Sequence, residues 1–550
     1  MYLPFIVLNL LKNIYYSIIR SHRIYDTRHI FAKKNFLLLM LFTAVLGIRN
    51  VRAQELELFP KSVSVDGSRF VDDLGRTVFL NSINIANKSK KDDYIFQSGP
   101  ELYTNLRKWG YNSIRLIVIW DGIEPTPGQF NEEYLRKLDQ RIQWAGDNGL
   151  FVILDMHQDL FGSKFSDGAP EWATITDGQP HIKGEVWSDA YLISPAVQTA
   201  FDNFWNNKSA ADGKGLQDHM AKVWAMLAKR YATNRTVIGY DLMNEPFPGS
   251  TAQEAMPRLM EAYGNWVYRK TGKQPTPAEL ETVWADPAKR IEVLEQMNTA
   301  EEFASVIDAL EPIAETFEKT KLQPFYQKMA DAIREVDSTK ILFLEHCYFG
   351  NMGVKSSIER TRLSNGQPDP NVAYAPHGYD LVVDTEFSSK SSPVRLEFIF
   401  QRISEKGRQL KMPIWLGEWG AYYKDGINMT EIARHSVDLI QKYQFSNAYW
   451  SYEKGTENLD YFQNALLRPY PCYVNGQLEN FSYDIENKTI EMQWIENKSS
   501  KAYTTIFTPN LANVSSQAKI QKISIDHSPA GWIIIPASRK GGKRVVKLKL

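Results

Sequence analysis

Eight short apolar runs, separated by amphipathic segments, most constrain the fold of this 550-residue chain. Runs that are apolar almost throughout indicate strands buried on both faces, as in a parallel sheet. The segments between them have the helical period, for example EEYLRKLDQRIQWAGDNG. Eight strands that alternate with helices predict an α/β fold, a (β/α)8 TIM barrel. The eight runs are VFLNSINIA (from Val78), NSIRLIVIW (Asn112), LFVILDMH (Leu150), TVIGYDLMNE (Thr236), KILFLEH (Lys340), NVAYAPHGYD (Asn371), MPIWLGEWG (Met412) and SNAYWSYE (Ser446).

An open, doubly wound sheet is the structural alternative. It would place a glycine-rich phosphate turn after the first strand, and the sequence there is NIANKSKK. The barrel is therefore favoured.

The flanking regions predict further parts. In residues 1–53, two lysines precede the apolar run NFLLLMLFTAVLGI, and small residues follow it. This pattern predicts an N-terminal extension with a signal peptide, cleavage after Ala53 and secretion. Residues 54–470 are predicted to form the barrel domain, beginning with a hairpin between Val63 and Leu80. Residues 471–550 alternate with period two and predict a C-terminal antiparallel β-sandwich, either a structural support or a binding module.

Residues 250–335, between the fourth and fifth strands, are rich in Glu, Ala, Lys and Met. They predict a helical insertion longer than one crossover helix requires. It is either a solvated insertion or a wall of the site for an extended substrate.

Composition excludes several classes of function. The chain has 64 basic and 64 acidic residues, so its formal net charge is zero and no nucleic-acid partner is indicated. Two cysteines, Cys347 and Cys472, cannot form a disulfide framework, and whether they pair is left open. No HxxxH or HxH spacing supports a metal site, and no GxSxG motif supports a serine hydrolase.

Polar residues occur on or just after the predicted strands, where the chemical groups of a (β/α)8 barrel lie. They include two carboxylates on opposite sides of the ring, Glu245 and Glu418. Such a pair suits glycoside hydrolysis, in which one carboxyl group donates a proton and the other attacks the sugar or activates water. Taken singly, Glu418 and the similar Glu345 are also consistent with strand-end ion pairs, and Glu345 is assigned to that structural role. His157 and His377 are, singly, consistent with buried core histidines.

The motifs NEP, after the fourth strand, and GEWG, in the seventh, resemble family 5 glycoside hydrolases. The resemblance implies a retaining enzyme with Glu245 as acid/base and Glu418 as nucleophile. Asn244 would bind the 2-hydroxyl of the reacting sugar and Trp450 would stack beneath that sugar. The remaining residues implied are Arg115 and Tyr379 to hold Glu418, and His157, Asp159 and His377 to bind hydroxyls or tune Glu245. Two further glycan contacts are expected at Lys88 and Trp172, with no metal and no cofactor.

DMHQD, GAPEWA, FDNFW, YDLMNEPFPG and RPYP are similar to the endoglycoceramidase branch of that family. This resemblance implies hydrolysis of the bond between glycan and ceramide in glycosphingolipids. It further implies transient contact with a membrane or micelle surface, and we expect a monomer. A β-glucanase or β-glucosidase acting on non-lipid glycans is the alternative. A non-catalytic binding protein on the same scaffold should lack one of the two carboxylates.

Overall fold

The protein is described from a computed structural model, which covers residues 59–383, 385–423, 429–498 and 500–550. The signal-peptide prediction and its cleavage point after Ala53 lie outside these residues. Within them, no helix has the length and apolarity that crossing a bilayer requires.

An antiparallel hairpin begins the described chain. Its strands are β1 (Val63–Asp66) and β2 (Arg69–Asp72), and β3 (Thr77–Val78) pairs with β2. Gly67 adopts φ +60° in the turn, a conformation that glycine accepts without steric cost. The predicted hairpin is thus confirmed.

Nine parallel strands form the central sheet, in the order β10-β11-β12-β4-β5-β6-β7-β8-β9. Every residue of β5, β6 and β11 is buried, as the continuous apolar runs predict. The strands are β4 (Asn81–Ile85), β5 (Ser113–Ile119), β6 (Phe151–His157), β7 (Val237–Asp241), β8 (Ile341–Leu344), β9 (Val372–Tyr374), β10 (His377–Gly378), β11 (Trp415–Gly420) and β12 (Ser446–Trp450).

The two ends of this sheet meet and close the barrel. β9 and β10 are two pieces of the sixth predicted strand, interrupted at Pro376, which has no N–H to donate to a ladder. The Tyr374 N–H donates to the Pro413 carbonyl at 3.0 Å, and the Gly417 N–H donates to the Pro376 carbonyl at 2.9 Å. The prediction of a (β/α)8 TIM barrel is confirmed, with its sixth strand in two parts.

Helices connect the strands. Before β7 they are α1 (Pro100–Lys108), α2 (Trp120–Ile123), α3 (Glu132–Asp147), α4 (Asp189–Ile193), α5 (Pro195–Trp205) and α6 (Leu216–Tyr231). Between β7 and β8 they are α7 (Ala255–Thr271), α8 (Pro277–Ala285), α9 (Pro287–Gln296), α10 (Ala300–Ile307), α11 (Glu311–Phe317) and α12 (Gln323–Arg334). After β10 they are α13 (Pro393–Leu410) and α14 (Met429–Tyr443).

The connection between β7 and β8 contains more helix than one crossover requires. Phe325 of α12 packs on Phe204 of α5, with 5.4 Å between ring centroids. Phe303 of α10 packs edge-on against Phe398 of α13 at 5.4 Å. The added helices therefore reach from the outer ring of the barrel to the helix that follows β10.

Two antiparallel sheets lie at the C-terminus. Their strands are β13 (Tyr470–Val474), β14 (Gly476–Asp484), β15 (Thr489–Glu496), β16 (Thr504–Thr508), β17 (Ser515–Ser516), β18 (Gln521–Ser524), β19 (Gly531–Ile535) and β20 (Gly542–Lys549). One sheet has the order β14-β15-β20-β17, and the other β1-β2-β3-β13-β16-β19-β18. Met492, Trp494 and Ile533 belong to the apolar core of this part of the chain. The antiparallel sheets agree with the period-two alternation of residues 471–550, from which a C-terminal antiparallel β-sandwich is predicted.

The N-terminal hairpin has a role that its sequence did not indicate. Val78 of β3 pairs with Tyr473 of β13, so the hairpin extends the seven-stranded C-terminal sheet. Phe70 of β2 also stacks on Phe343 of β8, with 6.1 Å between ring centroids. The hairpin thus contacts both the barrel and the C-terminal sheet.

Cys347 and Cys472 are buried free thiols.

Candidate active site

A cleft of about 690 Å³ opens at the carboxyl ends of the barrel strands. Eight of the residues singled out from the sequence line it: Lys88, His157, Asp159, Asn244, Glu245, Tyr379, Glu418 and Trp450. Arg115 of β5 and His377 of β10 are fully buried and contact these residues from below. Trp172 is the exception, because it packs edge-on against Trp120 at 5.5 Å and its indole N–H donates to the Glu124 carbonyl. Trp172 does not line the cleft, so the structure gives no support to a glycan contact there.

Glu245 and Glu418 face each other across the cleft. One carboxylate oxygen of each, with a ring nitrogen of His377, lie within 4.8 Å of one another. Both side chains are buried apart from a narrow opening to the cleft. The two carboxyl groups can therefore contact the same bond of a substrate.

The backbone of Glu245 is held in an unusual conformation. Its φ is +43°, in the left-handed region that residues other than glycine rarely adopt. Its N–H donates to Glu345 Oε2 at 2.8 Å, and the next carbonyl, of Pro246, accepts from the Tyr348 N–H at 2.9 Å. These bonds fix the turn that follows β7, and strain maintained in this way is typical of functional sites.

Glu418 is surrounded by groups that favour its ionised form. Arg115 Nη1 donates to Oε1 at 2.5 Å, and the Tyr379 hydroxyl donates to Oε2 at 2.9 Å. Burial nevertheless raises the pKa of Glu418 to about 7, and repulsion from Glu245 adds to this while His377 and Arg115 oppose it. Glu418 therefore changes its charge close to neutral pH.

Glu245 accepts two hydrogen bonds on a single oxygen. His377 Nδ1 lies 3.0 Å from Oε1, and the Asn351 amide donates to the same atom at 2.6 Å. Asn351 is oriented in turn by His346, whose Nε2 lies 3.0 Å from the amide oxygen and whose Nδ1 lies 2.9 Å from the Tyr374 hydroxyl. Burial lowers the pKa of His346 to about 3, so this imidazole is neutral. With Oε1 occupied in this way, Oε2 is left to bear the proton of a protonated Glu245.

The sequence assigned Glu345 to an isolated ion pair, but it lies within this network. Its Oε1 lies 2.9 Å from Arg115 Nη2 and 3.2 Å from His377 Nε2, while Oε2 accepts from the Glu245 backbone. Burial alone would lower the pKa of His377, but Glu345 and Glu418 outweigh it and raise that pKa well above its ordinary value. Glu345 thus favours a charged His377 between the two carboxylates. FLEH has the same strand-end pattern as the other strands, which indicates that Glu345 lies at the cleft end of the barrel but does not indicate its partners.

Arg115 is the cation at the base of the site. Besides Glu418 and Glu345, it contacts Asp241 at 2.9 Å and Asp155 at 2.9 Å. Its Nη2 also donates to the Asn244 side-chain oxygen at 3.0 Å, which orients that amide toward the cleft. Asp155 lies within β6 and Asp241 is the last residue of β7, and the local sequence does not show which charges either residue contacts.

A second polar cluster lies at the side of the cleft. Lys88 forms an ion pair with Asp159, and its Nζ lies 4.6 Å from the centre of the Trp450 ring. His157 stacks parallel to Trp450 at 5.2 Å and bonds Asp155 through Nδ1. Burial raises the pKa of Asp159 to about 7 against the opposing charge of Lys88. Of His157, Asp159 and His377, the last forms a hydrogen bond with Glu245, whereas Asp159 acts on it only through its charge.

His157 Nε2 is a buried ring nitrogen that makes no hydrogen bond to any described residue. Burial lowers the pKa of this imidazole well below its ordinary value, so the ring is neutral. A neutral imidazole nitrogen on the cleft wall can form a hydrogen bond with a ligand hydroxyl, as donor or acceptor according to the tautomer.

The two halves of the cleft differ in polarity. The loops after β4, β11 and β12 supply mainly polar or ring-stacking groups, among them Asn87, Lys88, Tyr423, Trp450 and Glu453. The loops after β6, β8 and β10 supply most of the large apolar groups, together with polar ones such as Asp159, Asn351 and Asp380. The apolar groups are Leu160, Phe165, Trp187, Tyr348, Met352, Leu381 and Val383. Glu245, after β7, lies in the apolar half. The proton donor and a hydrophobic wall therefore share one side of the cleft.

Among the described residues, three buried clusters of carboxylate and histidine side chains have a geometry that could hold a cation. Arg115 lies in the cluster of Asp155, Asp241 and Glu345, and Lys88 pairs with Asp159 in the cluster with His157 and Asp167. The third is Glu245, His377 and Glu418. Each of the first two clusters thus already contacts one side-chain cation.

Comparisons with known proteins identify the family and the fold. The sequence profile of cellulase (glycosyl hydrolase family 5) matches residues 81–456, and that of the glycoside hydrolase family 5 C-terminal domain matches residues 468–547. An endoglycoceramidase of Cyanea nozakii is 32% identical in an alignment of 232 residues that covers 36% of this chain and 44% of that protein. An endoglycoceramidase of Hydra vulgaris is 24% identical in an alignment of 501 residues that covers 82% of this chain and 81% of that protein. The solved structure of endo-glycoceramidase II from Rhodococcus sp. with a five-membered iminocyclitol superposes with a TM-score of 0.65 at 25% identity, covering 87% of this chain and 98% of that one.

Proposed function

The chain belongs to glycosyl hydrolase family 5, and from that membership we propose that it hydrolyses the β-glycosidic bond between glycan and ceramide in glycosphingolipids. The observation that supports this substrate is the apolar half of the cleft around Glu245. In glycoside hydrolysis the general acid lies beside the leaving group. An apolar wall on that side suits a lipid leaving group, whereas the polar half, with Trp450, suits a sugar.

The chemical steps follow from the two carboxylates. Glu418, ionised, attacks the anomeric carbon of the sugar, while Glu245 donates its proton to the oxygen that leaves with the ceramide. The product of this step is a glycosyl ester on Glu418. Carboxyl groups about 5–5.5 Å apart are typical of retaining enzymes, whereas inverting enzymes have about 6.5–9.5 Å. Oxygens within 4.8 Å of one another favour the double displacement.

In the second step the glycosyl ester is hydrolysed. Glu245, now ionised, removes a proton from a water molecule, whose oxygen attacks the anomeric carbon and releases Glu418. His377 and Asn351 hold Oε1 of Glu245, so the same Oε2 first gives and then accepts the proton. Arg115 and Tyr379 stabilise the carboxylate of Glu418 before attack and on release.

The substrate hydroxyls have candidate partners. Asn244 uses one amide hydrogen on the Gln158 carbonyl and has a second available for the 2-hydroxyl of the reacting sugar. His157 Nε2 and the Lys88–Asp159 pair are placed for other hydroxyls of that sugar. His157 and Lys88 both contact the Trp450 ring and fix its orientation, and we assign Trp450 to stacking against the reacting sugar.

The test is incubation of purified protein with lactosylceramide in detergent micelles. We expect free lactose and free ceramide in equal amounts, detected by chromatography and mass spectrometry. The variant Glu418→Gln should lose this activity by at least about 10³-fold, since no nucleophile remains. Release of glucose from cello-oligosaccharides without ceramide release would instead establish the non-lipid alternative. Product of inverted configuration, seen by proton NMR in the first minutes, would refute the double displacement.

A further inference from the structure

The segment 181–193 presents large apolar side chains to solvent at the edge of the cleft. Ile182 is 45% exposed, Trp187 43% and Ile193 45%. Apolar side chains scattered singly on a surface are ordinary, but a contiguous apolar patch is typical of an interaction site. Three such side chains within thirteen residues form a patch only if they are also close in space.

Hydrogen bonds and ring contacts bring these residues together. The Ile182 N–H donates to Ser194 Oγ at 3.2 Å, which holds the backbone of Ile182 next to the residue that follows Ile193. His181 Nδ1 lies 2.9 Å from the same hydroxyl. The ring of Trp187 lies 6.2 Å from that of Tyr191, in the short helix that ends at Ile193. We name Ile182, Trp187 and Ile193 the rim patch.

The rim patch is continuous with the apolar half of the cleft. Trp187 belongs to both. Tyr191 packs against Tyr348 of the cleft wall at 4.9 Å, and His181 packs against Phe165 of that wall at 4.6 Å. An apolar chain leaving the site on the side of Glu245 would therefore meet the rim patch next.

The charges of the segment are nearly balanced. Lys183 is opposed by Glu185 and Asp189, so electrostatic attraction to an anionic surface is not favoured. An exposed tryptophan with aliphatic neighbours suits insertion at the boundary between lipid head groups and acyl chains. Hydrogen bonds to Ser194, the N-cap residue of α5, also hold the segment in place. The segment is therefore already folded before it contacts lipid.

We propose that the rim patch is a lipid-docking surface that inserts into a neutral lipid layer and presents the apolar half of the cleft to it. This inference rests on the proposed function, because it names the surface that delivers a membrane-held glycolipid to Glu245. Docking occurs through apolar contact, so it should persist at high salt, unlike the binding of a basic patch.

The experiment uses the double variant Ile182→Ser/Ile193→Ser, because neither residue lines the cleft. Its matched control is Ile495→Ser/Val545→Ser, which removes two exposed apolar side chains from β15 and β20. Binding is measured by flotation with phosphatidylcholine vesicles that contain no substrate. Turnover is measured with lactosylceramide in such vesicles and, separately, with a water-soluble aryl β-lactoside.

We expect the wild type and the control to float with vesicles at both 0.05 and about 1 M salt. The Ile182→Ser/Ile193→Ser variant should bind about tenfold less or weaker still, since two apolar side chains no longer insert. Its turnover of vesicle-held lactosylceramide should fall in parallel, with turnover of the soluble lactoside unchanged. The variant Lys183→Trp should strengthen flotation and provides a test in the opposite direction.

Equal flotation of the two double variants, or no flotation of the wild type, would overturn the lipid-docking surface. Loss of flotation at high salt would show electrostatic docking and overturn it as well. A protein that floats through the rim patch but releases neither ceramide nor lactose would leave the surface standing and refute the proposed function instead.

Discussion

The hydroxyl of Tyr379 donates to Glu418 Oε2 at 2.9 Å, and its removal tests whether Glu418 is the nucleophile. Tyr379→Phe removes a hydrogen bond that stabilises the ionised carboxylate. A hydrogen bond to a charged group contributes about 1.5–3 kcal/mol. Because one pKa unit corresponds to about 1.4 kcal/mol, the pKa of Glu418 should rise by about 1–2 units.

The sign of the effect follows from the reaction. Glu418 must be ionised to attack, so kcat/KM falls as the pH drops below the pKa of this group in the free enzyme. Burial raises that pKa to about 7 in the wild type. In Tyr379→Phe the acidic limb of the profile should therefore move to about pH 8–9. Half of Glu418 is already protonated at pH 7 in the wild type, so the activity at this pH should fall about 5- to 50-fold, with the plateau at high pH less affected.

The assay is kcat/KM for a soluble aryl β-lactoside between pH 4.5 and pH 10. Tyr423→Phe is the matched control, because Tyr423 also lines the cleft but its hydroxyl bonds the Trp450 indole at 2.7 Å. This control should weaken sugar binding without moving the acidic limb. An unmoved limb in Tyr379→Phe, or an equal movement in Tyr423→Phe, would mean that Glu418 does not set the acidic limb.

Four other predictions use the same site. Glu245→Ala should lower ceramide release by about 10²–10⁴-fold, whereas hydrolysis of an activated aryl glycoside should be affected less. Added azide should then restore turnover and give a β-glycosyl azide, identified by NMR. If no azide adduct forms, Glu245 is not the acid/base. At pH 8, calorimetry should show that Glu418→Gln unfolds at an equal or higher temperature than the wild type. Burial raises the pKa of Glu418 in the wild type, so its ionised form destabilises the fold above pH 7, and Arg115 still contacts three other carboxylates in the variant. Asn351→Ala should lower kcat about tenfold with little change in KM, because the amide hydrogen bond of Asn351 positions Glu245. A change confined to KM would contradict this. Incubation with EDTA should leave kcat unchanged, since side chains provide both the proton and the stabilising charges, and inactivation that zinc or calcium reverses would contradict it.

The family and the barrel could be predicted from sequence because both depend on local patterns. Runs such as SIRLIVI are apolar on both faces, and this is sufficient to predict a strand covered on both sides. NEP and GEWG are short motifs whose residues lie next to one another in the chain. The predicted family membership is confirmed by the profile match over residues 81–456.

The residues that tune the site could not be predicted in this way. Glu345 follows its strand just as Glu245 does, and only its bonds to Arg115, His377 and the Glu245 backbone distinguish it from an ordinary ion pair. Asn351 lies in a short turn with no local pattern of its own. Trp172 belongs to a matching motif, yet its ring packs away from the cleft.

The sequence by itself determined which strands form, their parallel arrangement and the two opposed carboxylates, because hydrophobic period and strand-end chemistry are properties of neighbouring residues. The tertiary structure alone decided the environment of each carboxylate. The raised pKa of Glu418 depends on burial and on charges contributed by several different strands. The division of the cleft into a polar and an apolar half likewise depends on loops far apart in the chain. Electrostatics and polarity act through space over a few ångströms, so they are fixed only when the barrel closes.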